Sequence, residues 1–182
     1  MIFALGRLIE KKGFDDLLRA LSQLPPTIGG CPIHLLVAGD GPRFAELRGL
    51  SDSLGLSQRV LWLGWQDKPG QYFALANPVV CPSRHEPFGN VILEAWGYGK
   101  PVLATAIEGP SELIEHDVNG LLAPPQNPGA LSQRLKAVFS NADLTLERLG
   151  MEGKKSLELH FSKAAIVNRY LELYRHLSET AS

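Results

Sequence analysis

Two glutamates, Glu86 and Glu94, stand eight positions apart around "PFGNVIL", and two cations, Arg7 and Lys12, bracket "LIEK" near the start of the chain. An arginine forks to two oxygens and a lysine supplies a point charge, so the pair suits a phosphate group. Gly89 and Asn90 read as the opening of a helix whose first free N–H groups, near Asn90 and Val91, can meet an anion. Glu94 then lies one turn further along. There it can accept two hydrogen bonds from a vicinal diol, as acidic residues do with ribose in nucleotide folds. Glu86, fixed by Pro87, faces across the loop toward whatever the phosphate carries. Singly, Arg7 and Lys12 read equally as solvated cations, Glu94 as a helix-surface glutamate and Glu86 as a loop charge. Their grouping at one sheet edge favours a site.

Two glycine turns join them. "AGDGP" places Gly39 and Gly41 where backbone can come close to a ligand, and it serves equally as a tight turn with Asp40 as a helix cap. "IEGPSEL" reads as a strand end opening a helix over 111–116, with Pro110 at its start and Glu112 in its first turn.

The elements that must position these residues alternate. Apolar runs at 2–5, 33–39, 60–64, 78–82, 101–105 and 120–124 are separated by segments of helical period. Phe14, Leu17, Leu18 and Leu21 form one apolar face, and Phe44, Leu47, Leu50 and Leu54 a looser one. Further helices are expected over 90–98 and 130–140. The last, over 162–178, carries a broad apolar stripe of Ile166, Val167, Tyr170, Leu171, Tyr174 and Leu177. Near-continuous apolar strands joined by helices specify a parallel sheet covered on both faces. The expectation is an α/β fold: one doubly wound, Rossmann-like domain over 1–182 with about six strands.

Composition narrows the function. With 182 residues, 45% hydrophobic and 20% charged, the chain suits one globular domain. A net charge of −1 gives no sign of a nucleic-acid or membrane-surface binder. No apolar stretch approaches the ~20 residues of a membrane span. The start, "MIFALGRLIEKKG", has neither a basic n-region nor a cleavage site, and two cysteines are too few for a disulfide scaffold, so a cytoplasmic location is expected. The five histidines are scattered, with no metal-ligand spacing. Neither a P-loop nor a Gly-x-Ser-x-Gly elbow occurs. Met1 stands directly before a strand that belongs inside the sheet, which points to half of something larger, cut or separately encoded.

"GRLIEKKGFDDLLRAL", "LLVAGDGP", "VLWLGW", "CPSRHEPFGNVILEAWGYGKPVLAT" and "EGPSELIEHDVNGLLAPP", in that order, resemble the carboxyl-terminal domain of retaining GT-B glycosyltransferases. The closest resemblance is to family four, the glycogen-synthase-like and mannosyltransferase-like group. Its most specific element is the Glu-x7-Glu motif from Glu86 to Glu94. By that resemblance, Arg7 and Lys12 hold the donor's diphosphate and Glu94 binds the nucleotide ribose. Glu86 is the catalytic-site glutamate near the donor sugar, and Phe88, Gly89 and Asn90 form the loop that meets sugar and phosphate. Leu63, Gly64 and Trp65 fall where the family's base pocket lies. Two departures stand out: Asn77-Pro78 before a strand, and "EGPSE", in which Glu108 stands at the rim in place of a double-glycine turn.

The resemblance implies a hexosyltransferase that uses a UDP- or GDP-sugar without metal or other cofactor. It also implies a missing amino-terminal domain, in cis or trans, that supplies the acceptor site and any peripheral membrane contact. Alone, this half is expected to bind nucleotide weakly and turn over little, with its terminal helix left as a surface for self-association. The alternative is a non-catalytic nucleotide-sugar-binding or partner-docking subunit encoded as a split half. A third reading, an epimerase or phosphorylase half, lacks a convincing pyridoxal-lysine counterpart.

Overall fold

Ile2, Phe3 and Ala4 are all fully buried, the mark of a strand covered on both faces. The structure, a computed structural model, describes residues 1–140 and 142–180. In chain order the elements are β1 (Ile2–Leu5), a 3-10 turn (Glu10–Lys12), α1 (Phe14–Ser22), β2 (Thr27–Ile28), β3 (Cys31–Pro32) and β4 (Leu35–Ala38). They continue with α2 (Phe44–Ser53), β5 (Val60–Gly64), α3 (Gly70–Leu75), β6 (Val79–Cys81), α4 (Asn90–Gly97) and β7 (Val102–Thr105). The rest are α5 (Glu108–Leu113), β8 (Leu121–Ala123), α6 (Pro128–Ser140), α7 (Ala142–Phe161) and α8 (Lys163–Thr180).

Six strands form one parallel sheet in the order β5-β4-β1-β6-β7-β8. The chain therefore winds outward from β1 in one direction, then returns and winds outward from β6 in the other. The reversal leaves a crevice beyond the carboxyl ends of β1 and β6, where ligands bind in open α/β sheets. Side chains alternate between faces along each strand. Ile2, Ala4, Leu35 and Val37 pack with Leu17, Leu18 and Leu21 of α1 and Leu135 of α6. Phe3, Leu36, Val79 and Val102 pack on the other face with Phe73, Ile92 and Trp96. Trp96 is fully buried and donates from its indole nitrogen to the Asn119 carbonyl at 3.1 Å.

The doubly wound sheet agrees with the sequence reading, and three local features differ from it. The antiparallel pair β2–β3 was not expected, nor was α3, which is too short to show a helical period. The helix expected over 111–116 spans Glu108–Leu113. The first N–H groups of a helix have no partner within it, so Pro110 is tolerated at the third position as readily as at the first. Ile114 is extended and buried, which ends the helix early and puts Glu112 near its end.

Candidate functional site

The crevice at the reversal holds a pocket of about 210 Å³ lined by Gly6 and Lys12 after β1, by Ser83 and Glu86 after β6, and by Asn90, Val91 and Glu94 of α4. Lys12 Nζ donates to Glu86 Oε2, pairing residues 74 positions apart in the chain. Ser83 Oγ lies 3.4 Å from the same carboxylate oxygen. Gly89 is the N-cap of α4 in a left-handed conformation, and its carbonyl accepts from Ile92 N at 2.9 Å. The free N–H end of α4 thus opens where Asn90 and Val91 meet the pocket. Glu94 reaches that pocket from the next turn. Loss of solvent around its carboxyl pushes its pKa above the ordinary 4.5.

Of the residues singled out in the sequence, Lys12, Glu86, Asn90, Val91 and Glu94 come together in this one pocket. Others do not line it. Arg7 follows Gly6, which does line it, and is exposed. Phe88 is 43% exposed, and its ring meets Phe161 at 6.1 Å between centroids. Leu63 packs against the second core, its carbonyl accepting from Gln66 Nε2 at 2.7 Å. Trp65 is 72% exposed and donates to Asp67 at 2.7 Å. A wider cleft of about 960 Å³, lined by Lys68, Gly70, Gln71 and Tyr98, opens on Glu94 as well, so this glutamate borders two cavities.

Gly39 and Gly41 do not line this pocket, and neighbouring backbone crowds both of them. A Cβ on Gly39 would overlap the Gly6 carbonyl oxygen, and one on Gly41 would crowd the Leu8 carbonyl. What approaches these glycines is the protein's own loop after β1. Asp40 does not cap α2, whose N-cap is Arg43; its carboxylate accepts from Gly41 N at 2.7 Å. At the rim, Glu108 pairs with His85 at 3.2 Å.

Sequence reasoning missed the groups that hold the two loops together. Arg84 donates to Asp16 at 3.0 Å and to Asp15 at 2.7 Å, both in the first turn of α1. Its own backbone N–H, and that of His85, donate to the Lys11 carbonyl at 2.7 and 3.2 Å. Burial works against the charge on Asp15, but the Arg84 hydrogen bond and charge, together with Arg43, hold its pKa below the ordinary value. Asp16 is raised, chiefly by desolvation and further by the Asp15 charge. The available signal was "FDD" after a glycine together with an arginine in a strand-end loop, and it does not say which partners meet.

The family model described as "Glycosyl transferases group 1" matches residues 1–156. The lipopolysaccharide core biosynthesis glycosyltransferase LpsD of Rhizobium meliloti (strain 1021) is 34% identical over 174 residues, which is 96% of this chain and 49% of that protein. The structure of Anabaena Alr3699/HepE in complex with UDP and glucose superposes with a TM-score of 0.85 at 29% identity, covering 98% of this chain and 48% of that one. The carboxyl-terminal domain of a glycosyl transferase group 1 family protein, LpcC, from Francisella tularensis shares the fold, with a TM-score of 0.78 at 22% identity, over 89% of this chain and 86% of that one. The chain spans about half the length of the curated relatives it matches. Its doubly wound sheet is the Rossmann-like carboxyl-terminal domain of GT-B proteins, and the chain belongs to the glycosyl transferases group 1 family.

Proposed function

We propose that this chain is the donor-binding domain of a retaining glycosyltransferase that takes its sugar from a nucleotide diphosphosugar. The observation that carries the reading is the pocket at the sheet's reversal, where a cation, two carboxylates and a helix N-terminus converge from separate parts of the chain. Lys12, Arg7 next to Gly6 in the chain and the α4 N–H groups suit a diphosphate. Glu94 suits the ribose hydroxyls, and the wider cleft beyond it leaves room for the base. The related Anabaena protein holds UDP and glucose, which supports the same class of ligand here.

In the reaction, the bond from the sugar's anomeric carbon to the diphosphate oxygen breaks. The acceptor hydroxyl oxygen bonds to that carbon on the same face, and its proton passes to the leaving phosphate. Arg7, Lys12 and the α4 N-terminus offset the charge that develops on the leaving group, so the step needs no metal. Glu86 orients the sugar. Diphosphate binding draws Lys12 from Glu86 and frees that carboxylate for sugar hydroxyls. The acceptor site belongs to an amino-terminal domain in cis or trans, so this half alone turns over little. The exposed apolar side chains of α8, among them Tyr170 and Tyr174, would meet that domain or a second copy. We place the protein in the cytoplasm; among the described residues no helix is long and apolar enough to cross a membrane.

Calorimetric titration of this chain with UDP, GDP and ADP tests the reading. One nucleotide is expected to bind, and Glu94→Ala is expected to weaken it about 10- to 100-fold, the effect of losing hydrogen bonds to a charged acceptor. Unchanged affinity would remove Glu94 from the site. The ionised carboxylate is the stronger acceptor for both hydroxyls. Because burial raises its pKa, affinity is expected to start falling at a higher pH than an ordinary glutamate would give. The fall is read by repeating the titration at successively lower pH, and Glu94→Gln should remove the part of it that this carboxyl causes.

A further inference from the structure

Lys12 and Glu86 meet where two loops from opposite sides of the sheet's reversal lie against each other. The loop after β6 lies along the turn before α1 so closely that a Cβ on Gly13 would overlap the Pro82 carbonyl oxygen. Arg84 crosses this seam. Its guanidinium reaches Asp15 and Asp16 on α1, at 2.7 Å and 2.9–3.0 Å, while its backbone N–H donates to Lys11, the neighbour of Lys12. The side chains of Arg84, Asp15 and Asp16 are 19%, 15% and 12% exposed, so water loosens these bonds little. Asp15 is tied in turn to Arg43, which precedes α2 and also pairs with Glu46. Arg84 itself does not line the pocket.

We infer that Arg84 is a positioning residue for the sugar end of the donor site, fixing Glu86 relative to Lys12 by clamping its loop to the first turn of α1. The inference rests on the donor-site reading above. A planar guanidinium that forks to two carboxylates sets both distance and orientation, which an ammonium cannot do. Displacements of an ångström at a reacting centre are enough to matter. The effect of Arg84 therefore passes through Glu86 and falls on recognition of the sugar, with the nucleotide contacts little changed.

The test measures, in this chain, the affinity for UDP against UDP-glucose, for GDP against GDP-mannose and for ADP against ADP-glucose, using whichever nucleotide binds. Arg84→Ala is expected to lower the preference for the sugar nucleotide about tenfold while the diphosphate alone binds within about threefold, and Arg84→Lys should not restore it. Glu86→Gln is expected to lower the same preference. In the double variant, Arg84→Ala should add nothing, since residues acting through one another are non-additive. Thermal melting confirms that each variant folds; if Arg84→Ala does not fold, Arg84→Lys and Asp16→Asn carry the comparison. An undiminished effect of the Arg84 substitution in the Glu86→Gln background, or equal losses for diphosphate and sugar nucleotide, would overturn the assignment of Arg84. A Glu86→Gln variant with unchanged preference would instead overturn the role of Glu86. A chain that binds none of these nucleotides would overturn the donor site and the Arg84 inference together.

Discussion

Glu86→Gln, made in an enzyme that joins this domain to its amino-terminal half, is expected to lower kcat by about 10²-fold or more. Affinity for the nucleoside diphosphate should stay unchanged or rise a few-fold. The two effects run in opposite directions for one reason. Glu86 is the ion-pair partner of Lys12, so its charge competes with the diphosphate for that lysine. Glutamine removes the competitor and strengthens phosphate binding, while the sugar loses the acceptor that orients it. Steady-state kinetics with a parallel titration separate the two. A variant with unchanged kcat would remove Glu86 from the transfer step, and a parallel loss of diphosphate affinity would show that it acts on the nucleotide instead.

Gly39→Ala is expected to destabilise the fold by about 4 kcal/mol, enough to leave much of a marginal domain unfolded. Two costs combine. Gly39 has φ 130°, a conformation that side-chain-bearing residues rarely adopt, and its added Cβ would overlap the Gly6 carbonyl oxygen. The backbone cannot retreat, because Gly39 N donates to Gly64 O at 2.8 Å and Gly6 N donates to Ala38 O at 3.0 Å. Denaturant unfolding measures the loss. A change below about 1 kcal/mol would show that the loops after β1 and β4 can part.

Such positions mark what the sequence could and could not disclose. Strands such as Leu35–Ala38 and Val102–Thr105 are buried on both faces and so appear as unbroken apolar runs. Glu86, Glu94 and Lys12 were legible as a group because each follows a strand of a parallel sheet, and such a sheet gathers those ends along one edge. Gly39 and Gly41 were legible as places of close approach, but their spacing does not say what approaches. Arg84 was invisible as a clamp because its partners lie 68 and 69 residues away, beyond any local period. The start of α5 was misplaced because Pro110 is acceptable at any of the first helical positions.

Placement of the nucleotide is best decided by titrating the isotope-labelled chain with UDP, GDP and ADP while following its amide resonances. Shifts concentrated at Gly6, Arg7, Lys12, Glu86 and residues 89–94, weakened by Glu94→Ala, are predicted. Shifts confined to the separate cleft around Glu112, His160 and Arg169, with the sheet edge silent, would contradict a donor site at the reversal of the sheet.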